Sequence, residues 1–73
     1  MSKTPKYNLS KLAAKIKGLR AKHELTRDEL SKKAKVNYNT IIKLESGANK
    51  NPTIKTLIGI AMVFKTSVED IIA

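Results

Sequence analysis

Apolar residues along this chain return at helical intervals in five short segments separated by polar breaks. Leu12, Ile16 and Leu19 recur three and four residues apart, and Ala13 widens their stripe, which predicts a first helix over residues 9–22. Asn8 or Ser10 is a suitable N-cap for it. Gly18 stands inside this helix at a cost of about 1 kcal/mol relative to alanine, and a close helix contact is one reason to keep a glycine there.

Next, Thr26-Arg27-Asp28-Glu29 fits a capping box, in which the Thr26 hydroxyl accepts from the Glu29 amide and the Glu29 carboxylate accepts from the Thr26 amide. Leu25 and Leu30 flank the box as a hydrophobic staple, and the second helix continues to Ala34. Lys35, Val36 and Asn37 form a three-residue break. Asn37 caps a third helix, Tyr38 to Ser46, which stops at Gly47, where a left-handed terminus needs no side chain. Residues 48–52 form a loop. Thr53 caps a fourth helix with Leu57, Ile60, Ala61 and Phe64 on its apolar face. Ser67 and Asp70 form a second box that opens a last short helix carrying Val68, Ile71 and Ile72. No pair of segments alternates as strands do, so the fold class is all-α.

Composition narrows the chemistry. A chain of 73 residues reads as one domain, with residues 1–8 as a flexible basic arm and residues 9–73 as the folded unit. There is no cysteine, which excludes disulfides and thiolate metal sites and favours a reducing compartment. No apolar run resembles a signal peptide or a membrane span, so the cytoplasm, or the nucleoid within it, is the expected location. Neither a catalytic residue nor a metal or other cofactor is expected: His23 is the lone histidine, without a partner that would make it a general base.

Charge adds a direction. Lys and Arg number 15 against 6 Asp and Glu, for a net charge of +9. Residues 1–22 hold seven bases and no acid, residues 23–50 six bases and four acids, and residues 51–73 two of each. The first two thirds of the chain are therefore expected to face a polyanion, and the last third is neutral.

The second and third helices have the lengths and separation of a helix-turn-helix, in which one helix braces a second that projects. Leu30, Ala34, Val36, Ile41 and Leu44 would fill the crossing beneath them. In this arrangement, and in the stretches LRAKHELTRDELSKKAKV, TIIKLESG and PTIKTLIGIAMVFKTSVEDI, the chain resembles the Cro/C1-type helix-turn-helix family of phage repressors and small bacterial regulators. The likeness runs from Ile16 to Ile72 and implies a compact five-helix repressor-like domain. Three positions depart from the family's usual glycines: Glu24, Lys35 and Lys65. If their backbones keep positive φ, each costs about 1 kcal/mol; otherwise the turns are altered. Arg27 replaces a frequent glutamine.

The resemblance implies a site residue by residue. Arg20 and Glu45 match a pair that commonly bond one another, and a guanidinium can grip a carboxylate through two parallel bonds. Tyr38, Asn39 and Lys43 match positions whose side chains reach base edges. Asn39 can bond bidentately to adenine and Lys43 can donate to guanine. Ile42 either touches a thymine methyl or closes the edge of the core. Phosphate contacts are expected from Arg27, Asn37, Thr40, Lys50 and Asn51, while Lys6 and the arm either wrap toward DNA or stay solvated.

The implied partner is double-stranded DNA carrying a palindromic operator. It would be bound by a homodimer joined through residues 51–73, near Val63 and Ile72, and transcription would be repressed by occlusion. One alternative is an antitoxin-like regulator that also holds a protein partner. Another is a non-specific or structured-RNA binder.

Overall fold

The computed structural model describes residues 11–72, and among them every regular element is helical. The order is α1 (Leu12–Lys22), α2 (Arg27–Ala34), α3 (Tyr38–Ser46), α4 (Ile54–Val63) and α5 (Val68–Ile72). The arm of residues 1–8 and the candidate caps Asn8 and Ser10 lie outside the described residues. Lys11 precedes α1 and contributes no side-chain cap.

Local chemistry accounts for most of the boundaries. At α2 the capping box is complete: the Glu29 amide donates to Thr26 Oγ1 at 3.0 Å, and the Thr26 amide donates to Glu29 Oε1 at 2.8 Å. Thr53 Oγ1 accepts from the Thr56 amide at 3.1 Å to start α4, and Ser67 Oγ accepts from the Asp70 amide at 3.0 Å to start α5. Gly47 closes α3 with φ 84°. Phe64, expected inside the fourth helix, is instead its C-terminal cap.

Three of the helices end in the same way without glycine. Glu24, Lys35 and Lys65 hold φ of 56°, 58° and 54°. After each, the next amide reaches back five residues: Leu25 to Arg20 O at 2.9 Å, Val36 to Ser31 O at 2.9 Å, and Thr66 to Ala61 O at 3.0 Å. This is the Schellman closure, and Leu25 and Val36 pack against the core just beyond it. The left-handed backbone is thus retained at all three positions, and closure plus packing offset a steric cost of about 1 kcal/mol each.

Leu12, Ile16, Leu30, Ile41, Leu44, Ile60 and Ile71 are at the centre of the core. α1 packs on α3 and α5, and α2 packs on α3 and α4, so α3 is braced from two sides. Two glycines behave oppositely. A Cβ at Gly59 would lie 2.6 Å from the Ala34 carbonyl oxygen, so α4 approaches the end of α2 too closely for a side chain. Around Gly18 nothing lies within 4 Å, so close packing does not explain that glycine. Gly59→Ala is therefore expected to destabilise the domain by about 1–3 kcal/mol, through forced separation of two helices. Gly18→Ala is expected to stabilise it by up to about 1 kcal/mol. Paired urea unfolding curves measure both; equal signs would contradict this packing.

Candidate nucleic-acid interface

The break between α2 and α3 leaves α3 with one face inward and one outward. Ile41 and Leu44 are buried, while Tyr38, Asn39 and Lys43 are exposed, with Tyr38 at 46% of its full accessibility. Residues 39 and 43 are one helical turn apart and so share a side. The side chains of Tyr38, Asn39 and Lys43 make no hydrogen bond or ion pair within the protein among the described residues. Ile42 lies between the two faces, half-buried.

Asn37 fixes where α3 begins. Its Oδ1 accepts from the Asn39 amide at 2.8 Å, and its carbonyl accepts from the Thr40 amide at 2.9 Å. The carboxamide oxygen is therefore occupied, and only the Nδ2 group of Asn37 is available to a phosphate. Thr40 is half-buried beside it. Lys50 and Asn51 are exposed in the loop after α3, and the Asn51 amide donates to Asn49 Oδ1 at 3.0 Å. Sequence reasoning marked Lys35 only as a turn residue and did not single out Lys55, yet both line a groove of about 430 Å³ with Asn37 and Thr40, between the α2–α3 turn and α4. Only tertiary packing brings those two lysines together.

The orientation of α3 is set by Glu45, which is 2% exposed. Arg20 Nε donates to Glu45 Oε2 at 2.7 Å, Arg20 Nη2 donates to Oε1 at 3.0 Å, and Arg20 Nη1 donates to the Leu25 carbonyl at 2.9 Å. One guanidinium thus ties α1 to α3 and to the turn ahead of α2. Arg27 joins them: its Nε donates to Glu45 Oε1 at 3.0 Å. This second arginine was not foreseen as a partner of Glu45: the resemblance pairs only Arg20 with that carboxylate, and across 18 residues no short-range spacing signals the contact. Burial would push the Glu45 carboxyl up, but hydrogen bonds and charge from Arg20 and Arg27 outweigh it and hold the group below the usual carboxylate range. Its bond to Glu45 likewise holds Arg20 more firmly protonated, against the opposing effect of burial.

The acids near this face are committed elsewhere. Glu29 is in the capping box, and Asp28 pairs with Lys32 at 3.1 Å. Among the described residues no group of three or more His, Cys, Asp or Glu is placed to hold a metal ion, and no helix is long and apolar enough to cross a membrane. The result is a projecting helix with amide, phenol and ammonium groups outward and lysines or arginine on its flanks. Such a surface can bond base edges while neutralising phosphates.

Residues 16–71 match the family model described as helix-turn-helix. An uncharacterized HTH-type transcriptional regulator of Archaeoglobus fulgidus is 42% identical over 60 residues, covering 82% of this chain and 83% of that protein. A crystal structure of the master regulator for biofilm formation SinR in complex with DNA is similar, with a TM-score of 0.79 at 27% identity, covering 82% of this chain and 95% of that one. A chain from a SinR protein/SinI protein complex gives the same score and identity, but the match spans only 58% of that chain.

Proposed function

The chain belongs to the helix-turn-helix family, of the Cro/C1 type, and from that membership we propose that it is a sequence-specific double-stranded DNA-binding regulator that represses transcription as a homodimer on a palindromic operator. The observation that carries this reading is the outward face of α3, where Tyr38, Asn39 and Lys43 stand exposed and uncommitted. Asn39 and Lys43 read base edges and Tyr38 meets a thymine methyl or a phosphate. Arg27, Asn37, Thr40, Lys50 and Asn51 hold the backbone and set the register. Residues 9–73 act as the DNA-binding domain, residues 1–8 as an arm, and the nucleoid is the place of action. The DNA seen with SinR supports the mode of binding.

Dimerisation uses the neutral last third of the chain, where two copies of a +9 protein can approach. Val63 and Ile72 are half-buried against the core, so they contribute only edges to such a contact. The outward apolar residues are Ile54, Ile58 and Met62, which follow one another at four-residue steps along α4 with exposures of 63%, 46% and 72%. That stripe also supports a second reading, in which it holds a different protein; SinR, a relative, is itself found in a complex with the SinI protein.

Selection of bound sequences from a randomised duplex library tests the proposal. The expected product is a short inverted repeat with half-sites roughly 34 Å apart along the helix axis. Equal recovery of all sequences, or equal retention of duplex RNA, would reject it. Co-purification of a stoichiometric protein in place of a second copy would favour the second reading.

A further inference from the structure

Two arginines meet one carboxylate here, and they are used very differently. A guanidinium carries five N–H donors. Arg20 spends all three of its nitrogens inside the protein, two on Glu45 and one on the Leu25 carbonyl, and its side chain is 19% exposed. Arg27 spends only Nε, on Glu45 Oε1, and its side chain is 46% exposed. Its two terminal nitrogens, with four N–H groups, have no partner among the described residues. Because Arg20 already neutralises the carboxylate, the charge of Arg27 remains as a surplus. Arg27 and Glu45 line a dent of about 270 Å³ together with Lys17 of α1 and Ile42 and Ser46 of α3. A second cation and the flank of the projecting helix therefore share this opening.

We infer that Glu45 is a positioning residue for DNA binding: it anchors Arg27 by Nε so that the free end of the guanidinium is presented as a fixed fork to a phosphodiester oxyanion at the α3 flank, with Lys17 beside it. This rests on the reading of the chain as a DNA-binding protein and adds to it a division of labour. The planar guanidinium can bond a carboxylate along one edge and a phosphate along another. An ammonium is a point donor and cannot hold both in fixed geometry. Anchoring also removes rotamer freedom before DNA arrives, which lowers the ordering cost of the contact. Arg27 is thus more than a surface charge, and Glu45 serves the interface as well as the core.

The test uses the full chain and the duplex recovered by library selection. Arg27→Lys keeps the charge and leaves the Arg20–Glu45 bonds in place, and Arg27→Ala removes the charge as well. The fork predicts that each variant loses about tenfold in affinity, the effect of one charge-assisted hydrogen-bonding contact, with Arg27→Lys close to Arg27→Ala. Arg27→Lys binding like the wild type would show that charge alone matters and would overturn the inference. A second readout follows the Nε–Hε resonances of the two arginines by ¹⁵N NMR. Slow Hε exchange at Arg27 is expected both free and on DNA. Acceleration on DNA to the rate of a solvated arginine would show that the side chain swings away from Glu45, which also overturns it. A wild-type chain that binds no duplex at all would sink the DNA-binding reading and the fork with it, whereas the other two outcomes sink the fork alone.

Discussion

Glu45→Ala is expected to lose about 3–5 kcal/mol of folding stability, because it strands a partly buried guanidinium whose two bonds to the carboxylate have no replacement. A domain of this size has a total stability of only a few kcal/mol to spare, so the variant should be largely unfolded at room temperature. Urea titration followed by circular dichroism measures the loss; a change below about 1 kcal/mol would show that the pair is solvated and not structural. Replacing both partners, as Arg20→Met with Glu45→Leu, should recover most of the stability, since an apolar pair of similar volume carries no unmet charge. The same carboxylate gives a pH dependence whose sign is fixed. Glu45 is held below the usual carboxylate range. Its contribution is therefore complete above that range and is lost as pH falls through the lowered value. Acid unfolding of the double replacement should lack this component.

Steep salt dependence is the second large effect. A dimer that neutralises roughly 6–10 phosphates should lose about 10³–10⁵ in affinity between about 50 and 200 mM salt, as counterions return to the DNA. The charge map supports a slope of this order: the surplus of bases lies in residues 1–50, and residues 51–73 are neutral. Lys17, Arg27, Lys43 and Lys50 are all exposed in that first part. Fluorescence anisotropy with the selected duplex gives the slope directly. An affinity that stays flat across the interval would rule out phosphate contacts as its source. Arg27→Ala should shallow the slope by about one ion per copy and weaken all sequences alike, since a phosphate contact carries no sequence information.

Local signals made the helices legible. The Thr26–Glu29 box, Asn37, Thr53 and Ser67 each satisfy amides within four residues, so their meaning is complete in a short window. The inward residues of α3 were legible for the same reason, from periodicity alone. The turns at Glu24, Lys35 and Lys65 were marked only by the resemblance, which left positive φ and an altered turn both open: each residue type disfavours the conformation it adopts, and only the five-residue closure and the packing of Leu25 and Val36 show why it holds. Of the long-range contacts, the Arg20–Glu45 pair was legible only through the family resemblance, and others were hidden. Arg27 could be seen as a basic residue at a helix start, but its bond to Glu45 depends on α2 and α3 crossing at one particular place. Gly59 likewise has no sequence cue that separates it from Gly18, yet one lies against a carbonyl and the other faces open space. The exposed stripe on α4 was missed because Ile54, Ile58 and Met62 look like core residues until the opposite face of that helix is known to be buried.

Sequence recognition depends on α3 presenting Asn39 and Lys43 to bases, and repeating the library selection with Lys43→Ala tests that most directly. One symmetric pair of positions in the recovered repeat should lose its preference while the others keep theirs, with discrimination there falling by about 1–3 kcal/mol. A variant that recovers the wild-type sequence unchanged at every position would contradict it, and α3 would then not be the reading element.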